Sequence, residues 1–213
     1  MKKLLLATAL LATGASAGNF DQMYAGVKVD YAWPTINAKF SETTVADTSA
    51  DLKARGFEVD LFLGQGFQLN ADWIYGYEVQ IGRGLSETKK TFKNKSRVDV
   101  QGKSRRTWKF GAAGRIGKTL NNVLVYGRLG FNATQYTFKF TQTGQSNKSQ
   151  NFYAWSITPG LGAEYAISNG INARLEGTYE LGLNKSNFTW NGNKMETDKP
   201  SAFVLSAGVS FAL

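Results

Sequence analysis

The chain has 213 residues, with 25 Lys and Arg against 16 Asp and Glu, 23 glycines, three prolines, and neither cysteine nor histidine. Lacking cysteine, it has no disulfide framework or thiol chemistry; lacking histidine, it has no Ser-His-Asp or Cys-His nucleophile system and no histidine-based zinc site. The formal charge of +9 points toward anionic partners.

Lys2 and Lys3 precede a short apolar run, Leu4 to Ala12, and Ala15-Ser16-Ala17 follows. That order of positive charge, leucines and small residues is the pattern of a Sec signal peptide. Residues 1–17 are therefore expected to be removed, leaving one domain over 18–213 that starts at Gly18. The apolar run is too short to span a bilayer as a helix, and no long apolar run follows it. Losing Lys2 and Lys3 lowers the formal charge from +9 to +7. In an exported chain that surplus suits anionic lipid, lipopolysaccharide or host polyanions better than nucleic acid.

The rest of the chain alternates with period two, the period of a strand with one apolar face. The first strand runs from Tyr24 to Trp33, with Ala25, Val27, Val29, Tyr31 and Trp33 opposed to Lys28 and Asp30, and Pro34 is expected to end it. Residues 34 to 54 read as polar and irregular. The second strand sets Phe57, Val59, Leu61 and Leu63 against Glu58 and Asp60. The third sets Tyr75, Tyr77, Val79 and Ile81 against Glu78 and Gln80. A long basic segment, Ser86 to Arg106, comes next.

The fourth strand carries Trp108, Phe110, Ala112 and Ile116 against Lys109 and Arg115. After a short turn, the fifth carries Val123, Val125, Leu129, Phe131 and Ala133 against Tyr126 and Arg128. The sixth carries Tyr153, Trp155, Ile157, Leu161, Ala163 and Tyr165 against Ser156, Thr158 and Glu164, with Pro159 costing a ladder bond or marking a bulge. The seventh carries Ile171, Ala173, Leu175, Tyr179 and Leu181 against Arg174, Glu176 and Glu180. Asn184 to Pro200 reads as a polar loop. The eighth strand, from Ser201, is apolar at Phe203, Leu205, Ala207, Val209, Phe211 and Leu213.

Eight strands with alternating long and short connections predict an all-β fold, an eight-stranded antiparallel up-and-down barrel. A soluble barrel would turn its apolar face inward. Three features favour a transmembrane barrel, whose apolar face meets lipid. Tyr24, Trp33, Tyr75, Trp108, Tyr153, Trp155 and Tyr165 gather near strand ends, as in an aromatic girdle. Charges of both signs occupy the opposite face at mid-strand. The apolar final strand gains a closed seam in a barrel and a bilayer for its outer face.

The alternating apolar terminus at Phe203, Leu205, Val209, Phe211 and Leu213 resembles the insertion signal of bacterial outer-membrane β-barrels. It departs from their pattern in ending on leucine, with Phe211 two places before. Thr158-Pro-Gly-Leu-Gly-Ala-Glu-Tyr165 and Ala173-Arg-Leu-Glu-Gly-Thr-Tyr179 resemble paired strands of the small barrels of that group, the OmpA-type domain, OmpX-like proteins and opacity-type surface antigens. The resemblance implies a monomeric protein of the cell outer membrane, both termini periplasmic, in contact with lipid, lipopolysaccharide and the insertion machinery. It implies support of envelope integrity or contact with host and environment, without cofactor, bound metal or turnover.

Two groups of residues are candidates for function. Lys28, Asp30, Glu58, Asp60, Glu78, Lys109, Arg115, Arg128, Glu164, Arg174, Glu176 and Glu180 share the charged face and are expected to fill the interior as a salt-bridged plug. Eight strands leave room for side chains and little else, and buried charges require partners. The alternative is a narrow porin passing ions or small solutes. The second group is Lys89, Lys90, Lys93, Lys95, Arg97, Lys103, Arg105 and Arg106, a basic loop suited to lipopolysaccharide or soluble polyanions.

Overall fold

The computed structural model describes residues 20–35, 37–42, 45–51, 55–85, 87–93, 99–142, 148–190 and 193–213, among which the regular structure is entirely β. In chain order the strands are β1 (Met23–Thr35), β2 (Asn37–Glu42), β3 (Val45–Asp51), β4 (Gly56–Gln68), β5 (Trp73–Gly84), β6 (Glu87–Lys93) and β7 (Asp99–Leu120). They continue with β8 (Val123–Gln142), β9 (Lys148–Ser168), β10 (Ile171–Gly182), β11 (Ser186–Trp190), β12 (Asn193–Thr197) and β13 (Ser201–Ala212). The expected signal peptide, residues 1–17, lies outside the described residues.

Eight of these strands form a closed antiparallel barrel in the order β5-β4-β1-β13-β10-β9-β8-β7, with β5 paired to β7 to complete the ring. The first and last strands meet along their whole length, Tyr24 opposite Ala212 and Thr35 opposite Ser201. The terminal strand thus has partners on both sides, β1 and β10, and presents no free edge. Short turns join strands on the side of the termini. Asn121 there takes the left-handed conformation at φ 54° and Gly170 at φ 76°, as tight hairpins require.

On the opposite side the structure corrects the expected loops. Residues 34 to 54 contain β2 and β3, and Asn184 to Pro200 contains β11 and β12. These four form a second sheet in the order β11-β12-β2-β3. The basic segment contains β6 and the start of β7, and β6 continues along β7 the pairing that β5 begins. Strands β7, β8 and β9 run to 22, 20 and 21 residues, far beyond the ten or so that a tilted strand needs to cross a bilayer. Pro34 does not end β1; it is buried inside the barrel opposite Ala202. Pro159 introduces no bulge, because Thr178 faces Gly160 and Leu181 faces Ile157 in one unbroken register.

Alternation fixes the two faces. Leu61, Val79, Ile116, Leu129, Leu161 and Leu175 point outward, with Leu161 73% exposed. Aromatic clusters bracket this aliphatic belt. Tyr31, Trp33, Phe57 and Phe203 pack together toward the long-connection side, where Trp108–Phe110 and Phe131–Trp155 also stack. Phe67, Tyr75 and Tyr77 pack toward the short-turn side. Tyr24, expected in the girdle, shares parity with Lys28 and lies inside instead.

The interior is layered. Phe20, Ile74, Leu124, Tyr126 and Ala166 form an apolar cluster at the short-turn end. Ala32, Ala202 and Val204 form another toward the far end. Most of the charged residues lie between them, and Glu180 stands opposite Ala202.

Candidate functional site

All twelve residues expected on the charged face, Lys28, Asp30, Glu58, Asp60, Glu78, Lys109, Arg115, Arg128, Glu164, Arg174, Glu176 and Glu180, are buried inside the barrel. A thirteenth joins them. Arg106, expected in the basic loop, is 5% exposed and bound to interior carboxylates. The correction has a local cause. Arg106 pairs with Tyr136 and Lys109 with Thr134, so three steps on β7 match two on β8. This β-bulge reverses the parity of β7 and turns Arg106 inward. The interior therefore holds six cations, Lys28, Arg106, Lys109, Arg115, Arg128 and Arg174, against seven carboxylates.

Near the long-connection side, Arg106 bridges two strands. Its Nε lies 2.6 Å from Glu58, and its Nη2 donates to Glu180 at 2.9 and 3.0 Å. Asp30, Glu58 and Asp60 bring carboxylate oxygens within 4.8 Å of one another, a spacing that could hold a cation. The Lys109 ammonium takes that position, with Nζ 2.7 Å from Asp30, 3.1 Å from Glu58 and 2.7 Å from Asp60. Gly82, between Asp60 on β4 and Lys109 on β7, leaves the space in which the two meet; a Cβ there would run into the Asp60 carboxylate.

At mid-barrel, Lys28 donates to Gln80 at 2.9 Å and lies 3.6 Å from Glu176 and 3.9 Å from Asp60. Gln80 in turn donates to Asn132 at 3.3 Å. Arg128 reaches Glu176 at 2.6 Å. Toward the short turns, Arg174 lies between Glu78 at 2.5 Å and Glu164 at 2.6 Å, and Arg115 also pairs with Glu164.

Two tyrosines that the charge pattern alone does not reveal complete this layer. Tyr24 lies across Gly64 and donates to Glu78 at 3.2 Å; Tyr126 lies across Gly162 and donates to Glu176 at 3.0 Å. In each case the facing glycine leaves room for the ring. The guanidiniums of Arg115 and Arg174 lie over aromatic faces, Arg115 4.5 Å from Tyr24 and Arg174 4.2 Å from Phe62, so their flat sides are covered while their edges hold carboxylates. Even parity with Lys28 was the available signal for Tyr24, as it was with Arg128 for Tyr126.

Chemically, this arrangement neutralises itself. Each cation faces one or more carboxylates inside a wall with no free edge. Glu176 and Glu180, two inward positions apart, engage different partners, Arg128 and Arg106, and form no acid–base pair.

The described members of the second candidate group divide between two paired strands. Lys89, Lys90 and Lys93 lie on β6, Lys103 and Arg105 on β7, and Lys95 and Arg97 fall outside the described residues. Lys103 lies 3.7 Å from Glu87. Of the terminal residues, Phe203, Leu205, Phe211 and Leu213 are exposed on the outward face, and Val209 is half-buried.

A closed eight-stranded barrel with an apolar exterior and a charged, filled interior defines the class: a small membrane-spanning β-barrel. The chain belongs to the outer membrane protein β-barrel domain family, whose profile matches residues 4–211. The outer membrane is accordingly its place. No curated protein sequence is close enough to count as a match. Among solved structures, the chain is similar to the outer membrane protease OmpT from Escherichia coli, at 8% identity over 91% of this chain and 97% of that one, with a TM-score of 0.54. It is also similar to Neisserial surface protein A, at 16% identity over 90% and 97% with a TM-score of 0.47. A further similar structure is Ail of Yersinia pestis in complex with the heparin analogue sucrose octasulfate, at 18% identity over 89% and 99% with a TM-score of 0.41. At such identities the likeness concerns the fold.

Proposed function

We propose that this chain is a surface barrel of the outer membrane that turns over no substrate, supports the envelope, and contacts anionic partners through its long-connection side. The observation that carries this reading is the self-neutralised interior. Six cations and seven carboxylates engage one another inside the closed wall, so the charge inside is committed to holding the wall together. A porin needs a continuous aqueous path, and this packing weighs against one. A chain without histidine or cysteine also lacks the residues on which most hydrolytic sites depend.

In this reading residues 1–17 direct export and are removed, and residues 18–213 form the barrel as a monomer. Both termini face the periplasm, which places the long connections outside. The outward residues Phe203, Leu205, Phe211 and Leu213, with Val209, present the final strand to the insertion machinery. The segment from Lys89 to Arg105 collects polyanions by long-range attraction.

The test is a salt titration of heparin binding by refolded protein. Wild type is compared with a variant carrying Lys89→Gln, Lys90→Gln, Lys93→Gln and Lys95→Gln. Counterion release predicts weaker binding and a flatter salt slope for the variant, with barrel folding unchanged. Superimposable titrations would remove this segment from the binding surface.

A further inference from the structure

The apolar cluster that closes the short-turn end has one member from outside the wall. Ile74 lies on β5, Leu124 and Tyr126 on β8, and Ala166 on β9. Phe20 precedes β1, yet it is 3% exposed. Two residues in a bend, Asp21 and Gln22, carry the chain from Phe20 to the start of β1 at Met23. The aromatic ring therefore enters the mouth of the barrel from beyond the strand ladder.

The wall is shaped to receive this segment. A Cβ on Gly66 of β4 would run into the Phe20 carbonyl oxygen and lie 3.0 Å from the Phe20 carbonyl carbon and 3.1 Å from the Asp21 Cα. Its three nearest neighbours are all backbone of the crossing segment, so glycine at this position leaves the passage for it. The Gly66 amide donates to the Gln22 carbonyl at 3.1 Å, which ties the segment to the wall at the same residue.

Behind the ring lies the charged layer. Tyr126, in the same cluster as Phe20, donates to Glu176 at 3.0 Å, and the Arg115 guanidinium lies 5.4 Å over its ring. Eight strands leave an interior only wide enough for side chains, so one aromatic ring suffices to close it. An apolar constriction of this kind excludes water and ions by dewetting. The cluster at the far end has no comparable part, since Ala32 belongs to β1 and Ala202 and Val204 to β13.

We propose that Phe20, carried on the Asp21–Gln22 bend, is a removable stopper that seats in the short-turn mouth and keeps water and ions there from the charged interior. Seated, the ring completes the apolar layer with Ile74, Leu124, Tyr126 and Ala166. Swung out, it uncovers Tyr126 and the Glu176–Arg128 pair behind it while every strand of the barrel keeps its partners. The device is separate from the surface role above and independent of which side of the membrane the short turns face.

The chain has no cysteine, so a single introduced thiol reports access to the interior. Ala113→Cys places the reporter behind the stopper, on an inward, buried position of β7 opposite Glu78. Ala202→Cys reports on the far end. The full chain is refolded in phosphatidylcholine nanodiscs, with both mouths in water, and exposed to a small cationic methanethiosulfonate. Intact-mass spectrometry gives the labelling rate, and unboiled gel mobility reports folding. Phe20→Ala should speed labelling at Ala113→Cys by about tenfold or more, because opening of the mouth no longer has to lift the ring. Phe20→Leu, which still fills the mouth, should keep most of the protection. Gly66→Ala retains Phe20 but pushes its backbone off the wall, so it should open the mouth as Phe20→Ala does, and it serves should Phe20→Ala fail to fold. Labelling at Ala202→Cys should be the same in all of these backgrounds. Equal rates at Ala113→Cys with Phe20 seated and removed overturn the stopper. Equal acceleration at both reporters overturns it as well, because that marks a loosened barrel rather than one opened mouth.

Discussion

Two sets of cations share one barrel wall and behave differently. Those inside, such as Arg174 and Lys109, are 3% exposed and each touches two or three carboxylates. Those outside lie beyond the girdle, Lys103 half-buried with Glu87 3.7 Å away and Lys139 exposed. Period two separates them, since one residue of shift exchanges the faces. The difference teaches that net charge is a poor guide to what this chain binds. The interior carries one more carboxylate than cations, so the positive surplus belongs to the exterior. Buried ions need partners because desolvation exceeds what an unpaired charge can recover, whereas exposed cations are screened by water and remain available to a ligand.

This contrast is open to direct attack. The largest loss is expected for Arg174→Ala, which leaves Glu78 and Glu164 facing one another with only Arg115, Arg128 and Tyr24 to answer them. Removing one partner of a buried pair costs about 3–5 kcal/mol, read as a lower urea midpoint for unfolding in a fixed detergent or bilayer. Next comes Leu175→Arg, which sets a charge on the outward belt near the middle of β10. At mid-membrane that costs about 2–4 kcal/mol, and equal tolerance of Leu175→Arg and Lys139→Gln in the refolding assay would undo the assignment of faces. Gly82→Val should cost about 1–3 kcal/mol through overpacking, because its side chain occupies the space where Asp60 and Lys109 meet. Smallest of all, Lys139→Gln should change stability by no more than about 0.5 kcal/mol, because the side chain is exposed.

Most of the barrel was legible because alternation is a strong signal where one face is apolar. Glu58, Asp60, Glu78 and Arg174 could be placed on the inner wall from their neighbours alone. Arg106 could not, because the bulge between Arg106 and Lys109 reverses parity without leaving a glycine or proline to mark it. The outer extensions were also hidden. Segments such as Asn37–Glu42 and Asn193–Thr197 are short, with Phe40 and Met195 the one large apolar residue in each, and they become strands by pairing with one another. Such pairing is set by the partner strand rather than by local pattern. The apolar layers inside both ends of the barrel went unread for a related reason. Ile74, Leu124, Ala202 and Val204 follow the inward parity but carry no charge, so a search for a charged face passes over them.

The central claim is that the interior is filled and its charges are paired, so that the protein acts at its surface. A planar-bilayer recording of the refolded wild-type chain tests it most directly. The account predicts a bilayer that stays silent or shows only brief, small openings, because paired side chains packed in the interior leave no standing water column. Steady, voltage-stable conductance in every insertion would contradict it and turn the charge network into the lining of a pore.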